Sequence, residues 1–219
     1  MSLDDPLRAE GLAASYAGRA IFDGAGFSLG IGLYALQGIN GSGKSTLLRQ
    51  LAGAQAPDVG DIWIDKLSLR REPQLARSRL SYVPDDCPVY PFMTGRQLLR
   101  FVAASKSTAP PPSGDNLIAA LGIETHLDAR FDAMSFGIQK KMLLRAAFIG
   151  SPRVILMDEP SNGLDAAARA GLFDRLRVAA QSAVVLCATH DEAMVADTGS
   201  TVVTMTQIAA GSGGSVPAA

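Results

Sequence analysis

The stretch Gly38 to Thr46, GINGSGKST, constrains this chain more than any other. It matches G-x-x-x-x-G-K-[ST] at every fixed position. Leu33, Tyr34 and Leu36 just before it read as a buried strand, and Lys44 to Leu51 reads as a helix. Such a turn from strand to helix is built to hold phosphate. Gly38, Gly41 and Gly43 can take backbone angles closed to other residues, so that N–H groups along Gly38, Ile39, Asn40, Gly41, Ser42 and Gly43 can point inward around an anion. The helix that opens at Lys44, Ser45 and Thr46 adds its positive end. Lys44 can reach the β and γ phosphates as a compact charge, and the Ser45 hydroxyl is placed to ligate Mg²⁺. A nucleoside triphosphate with its magnesium is the ligand this chemistry suits.

A phosphate loop needs an acidic partner, and VILMDEPSNGLD, Val154 to Asp165, supplies one. Four apolar residues form a buried strand that ends in two adjacent carboxylates. Asp158 can hold the metal directly or through water, while Glu159 can poise a water against the γ phosphate. Pro160 cannot donate a ladder hydrogen bond and helps to end the strand there.

With these two motifs in this order, the chain resembles an ATP-binding cassette (ABC) ATPase, the nucleotide-hydrolysing subunit of an ABC transporter. The likeness runs through nearly all of it. Tyr16, in LAASYAGRAIF, stands where the family has an aromatic that stacks on adenine, a contact of about 1–3 kcal/mol in nucleic-acid binders. Ser135 to Gln139 (Ser135, Phe136, Gly137, Ile138, Gln139), followed by KKMLLRAAF, resembles the family's signature, which completes the site of the opposite subunit. SNGLD, with Ser161 and Asp165, resembles the D-loop at the dimer seam, and His190 resembles the switch histidine that contacts the γ phosphate. The resemblance implies an α/β P-loop NTPase fold with a mostly parallel core sheet, an antiparallel β subdomain and an inserted α-helical subdomain. It also implies ATP and Mg²⁺ as ligands, a second ATPase subunit, most simply an identical copy, and a separate integral-membrane permease. In this setting Lys44, Glu159 and His190 are the expected catalytic groups. The chain would sit in the cytoplasm, peripheral on the inner face of the membrane through that permease.

Two positions depart from the family pattern. In LSYVPDD, Asp85 stands where a glutamine would sense the metal and the attacking water. Two unit charges about 6 Å apart at an effective dielectric of about 20 interact by about 3 kcal/mol, attractive towards Mg²⁺ and repulsive towards phosphate. Asp85 is carried as a metal-facing residue beside Ser45 and Asp158. The second departure is Phe136, where the commonest signature has glycine. Ser135 and Gly137 remain as the pair expected to face phosphate, with Phe136 turned away or packed.

Composition narrows the field. The chain has 219 residues, 47% of them apolar, and a formal charge of −1. That length suits one well-cored domain, and near-neutrality argues against a nucleic-acid surface. The N-terminus MSLDDPLRAE lacks a signal-peptide pattern, and the longest apolar run, near SAVVLCA, has the length of a strand. Cys87 and Cys187 form no C-x-x-C, so both are expected to be reduced, with neither zinc nor disulfide.

Leu7 to Tyr16 and Ile21 to Leu29 read as antiparallel strands, and Asp61 to Leu69 alternates like a single further strand in which Trp63 packs. Thr94 is placed to cap a helix running to Ala104, and a second helix follows from about Asp115, past the exposed connector Pro110 to Pro112. The expected division is a single domain over 1–219, with the core at about 1–84 and 148–206, the helical subdomain at about 85–147 and a disordered tail at about 209–219. His126, Lys140, Lys141, Arg70 and Arg71 read as solvated surface. DCPVYPF, Asp86 to Phe92, is the expected docking surface for the permease. The signature and EPSNGLD resemble exporter-type ATPases more than importers. An alternative reading is a soluble ABC ATPase that moves no solute and acts as a mechanical or regulatory module, although such proteins usually carry tandem cassettes or long coiled coils.

Overall fold

Strands apolar at every position need cover on both faces, which a parallel sheet between two layers provides. The structure, a computed structural model, describes residues 4–16, 18–112, 114–209 and 215–216, with Tyr16, Arg19, Ser215 and Val216 described by backbone alone. In chain order the elements are β1 (Leu7–Tyr16), β2 (Arg19–Leu29), β3 (Gly32–Gln37), α1 (Lys44–Leu51), β4 (Val59–Ile64), β5 (Leu67–Ser68), α2 (Pro73–Ser78) and β6 (Leu80–Val83). Then come α3 (Gly95–Ser105), α4 (Asn116–Leu121), α5 (Phe136–Ala147), β7 (Val154–Asp158), α6 (Ala166–Ala179), β8 (Val184–Ala188), α7 (Glu192–Thr198), β9 (Thr201–Thr204), α8 (Met205–Ala209) and β10 (Ser215–Val216).

Two sheets result. β6, β7, β8, β3 and β9 lie side by side in that order, and every pairing among them is parallel. The other sheet has the order β10-β2-β1-β4-β5 and is antiparallel except where β10 joins β2. Alternation along each parallel strand divides the core between two layers. Val154, Leu156, Val184, Leu186, Tyr34 and Leu36 face α1 and the antiparallel sheet, where Leu47, Leu48 and Leu51 meet them. Ile155, Met157, Val185, Cys187 and Leu33 face the other way, onto a cluster shared with α3, α4, α5 and α6. Cys187 is fully buried there, and burial pushes its thiol above the ordinary range.

The segment expected as one strand over Asp61 to Leu69 is a hairpin instead. Asp65 and Lys66 both take left-handed angles, φ 49° and 70°, and two such residues in succession reverse the chain so that Trp63 pairs with Ser68 and Ile64 with Leu67. Trp63 is half-buried under the Arg8 guanidinium, 4.0 Å above its ring. The supposed tail also holds more order than expected: α8 reaches Ala209, and Ser215 and Val216 pair with β2, while residues 210–214 and 217–219 lie outside those described.

Capping sets the helix starts in the segment between β6 and β7. Thr94 accepts from the Gln97 N–H while the Gln97 side chain accepts from the Thr94 N–H, a reciprocal cap. Asp115 accepts from the N–H groups of Leu117 and Ile118 at 3.0 and 3.2 Å, and its two oxygens also receive Arg145 of α5 at 2.8 and 3.0 Å. Asp115 thus starts α4 and joins it to α5. Loss of a cap costs about 1 kcal/mol and a charge-assisted hydrogen bond about 1.5–3 kcal/mol. Asp115→Ala is therefore expected to lower stability by about 2.5–4 kcal/mol in urea unfolding, with Asp115→Asn falling between it and the parent. A loss under about 0.5 kcal/mol would show that the junction carries no strain on removal.

Candidate functional site

Parallel register is what assembles the site. Leu36 of β3 and Asp158 of β7 both stand opposite Ala188 of β8, so three strand ends emerge level with one another. The loop after β3, the carboxylates ending β7 and the His190 segment after β8 therefore meet at the carboxyl edge of the sheet, where α/β folds place ligands. They line a cavity of about 870 Å³ together with Ala20 and Ile21 of β2, Arg49 and Asp85. Ile39, Asn40, Gly41, Ser42, Gly43, Lys44, Ser45, Thr46, Asp158, Glu159 and His190 all border it.

Each glycine of the loop has its own reason. Gly41 and Gly43 have φ of 78° and 96°, the left-handed region, and Gly43 sits there as the residue before α1. Gly38 is different: its angle is unexceptional, but a Cβ would lie 2.7 Å from Ser42 Oγ and 3.1 Å from Met205 Cγ. The absence of a side chain there lets the loop fold tightly. Lys44 is buried at 7% exposure, and its Nζ donates to the Gly38 carbonyl at 2.7 Å. Ser42 Oγ is a buried oxygen with no hydrogen-bond partner among the described residues. An unpaired buried hydroxyl beside a lysine and a helix start fits a site that receives an anion's oxygens.

On the acidic side, Asp158 is 5% exposed. Glu159 adopts φ 46°, uncommon outside glycine, and its N–H donates to Ala188 O at 2.9 Å. That turn aims its side chain along the cavity wall to His190, whose N–H lies 3.4 Å from Oε2 and whose Nε2 lies 3.6 Å from Oε1. Burial raises the Glu159 pKa above the ordinary value, opposed by His190 and Lys44 and reinforced by Asp158. A carboxylate with raised basicity beside a half-exposed imidazole can accept a proton from water. Ser45, Asp85 and Asp158 supply oxygen donors of the kind Mg²⁺ prefers. Among the described residues no cluster of three or more His, Cys, Asp or Glu forms a metal site by itself.

The remaining expected residues lie elsewhere. Tyr16 ends β1, and its side chain lies outside the described residues. Ser135 caps α5 through the Ile138 N–H at 3.4 Å and is exposed, as is Phe136 at 54%, which is therefore not packed on its own chain. Gly137 abuts Gly163, where a Cβ would lie 3.3 Å from its carbonyl oxygen. Ile138 joins the core, and Gln139 donates to Phe131 O and Met134 O at 2.8 and 3.2 Å, so both serve their own chain. None of these five borders the cavity. Ser161 is buried and donates to Asp191 at 2.7 Å, and Asp191 also receives Arg169 at 2.6 Å and caps α7. Asp165 caps α6 and pairs with Lys141 at 2.6 Å, which brings its pKa down to about 2.

Two expectations need correction. Lys140 and Lys141 are not solvated: they are 0% and 8% exposed, Lys141 reaching Asp165 and Lys140 reaching Pro84, Asp85 and Asp158. A helix packed on both sides recruits lysine stems as core when carboxylates or carbonyls meet their tips. Asp191 and Arg169, which tie the segment after His190 to Ser161, were not picked out in the sequence. The aspartate directly before a helical run was the available signal.

The fold and the site define an α/β phosphate-loop domain. Residues 29–162 match the family model described as ABC transporter, and the chain belongs to that family. It is 34% identical over 186 residues to "Nod factor export ATP-binding protein I" of Paraburkholderia xenovorans (strain LB400), covering 80% of this chain and 60% of that protein. It is 36% identical over 193 residues to "Cytochrome c biogenesis ATP-binding export protein CcmA" of Cupriavidus necator (strain ATCC 17699 / DSM 428 / KCTC 22496 / NCIMB 10442 / H16 / Stanier 337), covering 84% and 82%. Among solved structures, an ATP-binding subunit of an ABC transporter superposes with a TM-score of 0.81 at 25% identity, covering 90% of this chain and 85% of that one. The chain spans 54–62% of the length of the Nod factor export relatives it matches.

If Glu159 is the base, Glu159→Gln keeps ATP affinity within a few-fold and slows hydrolysis by about 10²- to 10⁴-fold. In the parent, phosphate release should fall on acidification with a midpoint above the ordinary glutamate value of 4.5, because burial raises this carboxyl. A variant that releases phosphate at the parent rate excludes Glu159 from that role.

Proposed function

We propose that this chain is the ATP-binding and ATP-hydrolysing subunit of an ABC transporter, energising export through a separate membrane-spanning permease. One observation carries the reading: phosphate loop, buried Asp158 and the Glu159–His190 pair border one cavity, while Ser135 and Phe136 stand exposed away from it. Half a site faces inward and the other half outward, an arrangement that a second copy completes. Two chains would then sandwich two ATP molecules, each between the loop of one copy and Ser135 and Gly137 of the other.

Within one chain, Lys44 offsets charge on the β and γ phosphates, the N–H groups of the loop and α1 orient them, and Ser45 and Asp158, with Asp85 at the rim, would hold Mg²⁺. Bound magnesium would neutralise charge on the phosphate oxygens. Glu159 accepts the proton of the attacking water, and His190, beside it, holds the Glu159 carboxylate in place. Tyr16 is the proposed adenine-stacking residue, and Ser161 and Asp165 the proposed seam residues.

Export is supported by the printed names of both curated relatives. No helix among the described residues is long and apolar enough to cross a membrane; the membrane path proposed here is that of the separate permease. Tyr90 and Phe92, exposed and stacked at 5.5 Å between ring centres, support the docking of that partner near Asp86 to Phe92. The chain would then lie at the inner face of the membrane. The proposed organisation is one domain, its core at about 1–84 and 148–206 and its helical subdomain at about 85–147.

Mixing two inactive variants tests the sandwich. Ser135→Arg blocks the signature surface and Lys44→Ala disables the loop, but a heterodimer holds one intact site made from the loop of the first and the signature of the second. The expected result is occlusion of one ATP per mixed dimer. Confirmed heterodimers that trap no more nucleotide than either parent variant would rule out action across the interface.

A further inference from the structure

Lys140 is the one charged side chain among the described residues with no exposure at all. It stands on α5, yet its Nζ lies 3.1 Å from the carbonyl oxygens of Pro84 and Asp85, 3.2 Å from that of Asp158 and 3.3 Å from Asp85 Oδ1. An ammonium has three N–H donors, so these four acceptors use its full capacity. Three separate segments converge on one nitrogen: the loop after β6, the end of β7 and the helix that Ser135 caps.

The charge pattern of the cavity gives this nitrogen a second task. Asp85, Asp158 and Glu159 place three carboxylates on the lining, against the cations Lys44 and Arg49. Without bound metal, a triphosphate entering this cavity meets more carboxylates than cations on the lining. Lys140 supplies a further cation behind the lining, and its contact is with Asp85, a half-exposed carboxylate.

We propose that Lys140 is a positioning residue for the nucleotide site. It clamps the Pro84–Asp85 segment to the end of β7 and offsets the Asp85 charge, so that an aspartate can border the cavity without repelling the phosphates. This rests on the reading of the cavity as an ATP site. The pair Asp85 and Lys140 then does together what a neutral side chain at the position of Asp85 would do alone.

The test is a double-variant cycle read by calorimetric titration of ATP in EDTA, where no metal masks the carboxylates. Lys140→Met should weaken ATP binding by about tenfold, because Asp85 is left uncompensated. Asp85→Asn should restore it, bringing the double variant to within about threefold of Asp85→Asn alone. Parent-like affinity in Lys140→Met, or a double variant as weak as Lys140→Met, overturns the proposal. Absence of ATP binding in the parent overturns the ATP reading instead. Should Lys140→Met fail to fold, thermal melts without nucleotide decide the matter. Removing the partner of a buried ammonium should lower the melting temperature of Asp85→Asn by about 2–4 °C, whereas Asp86→Asn, one residue on, should melt with the parent. Equal melting of all three proteins overturns the pairing.

Discussion

Backbone hydrogen bonding between β8 and its two neighbours is the constraint on which the rest of the molecule depends. Because Leu36 and Asp158 both stand opposite Ala188, a shift of one residue in either ladder would flip the core side chains of that strand to the other layer. It would also carry the phosphate loop or the carboxylates out of line. The apolar packing that forbids such a shift is the same packing that brings Lys44, Asp158, Glu159 and His190 to one cavity. Stability and site geometry are thus two consequences of one register.

The site spends conformational freedom where chemistry needs it. Gly41 and Gly43 turn the loop through left-handed angles, Gly38 gives room to Ser42, and Glu159 accepts an unfavourable φ of 46° to bring its carboxylate beside His190. Behind these groups lie supports with little freedom of their own. Asp191 holds Ser161 and Arg169 while it caps α7, Asp165 caps α6 and holds Lys141, and Asp115 caps α4 and holds Arg145. In each case one carboxylate both starts a helix and ties it to another segment. The segment between β6 and β7 is joined to the nucleotide cavity in the same economical way, through the nitrogen of Lys140.

Much of this could be read from residues whose local pattern decides their fate. VILMD and VVLCA allow little but buried parallel strands, Thr94 and Asp115 declare helix starts, and GINGSGKST defines its own turn. What escaped depends on neighbours far along the chain. Lys140 reads as surface because nothing in QKKML shows that carbonyls 55 residues upstream will meet its tip. The hairpin at Asp65 and Lys66 lacks the glycine that usually marks two left-handed residues, so its strand read as continuous. Gln139 resembled a residue for the opposite subunit, but its amide is engaged by Phe131 and Met134 of its own chain.

Everything proposed for this site depends on the cavity at the carboxyl edge of β3, β7 and β8 holding a triphosphate through Lys44. Calorimetric titration of the parent with ATP and Mg²⁺ should show saturable binding of one nucleotide per chain. In Lys44→Ala the affinity should fall by about tenfold or more, since a charge-assisted contact to phosphate is removed from a buried position. Equal affinity in a Lys44→Ala protein that melts like the parent would contradict the assignment of this cavity as the nucleotide site.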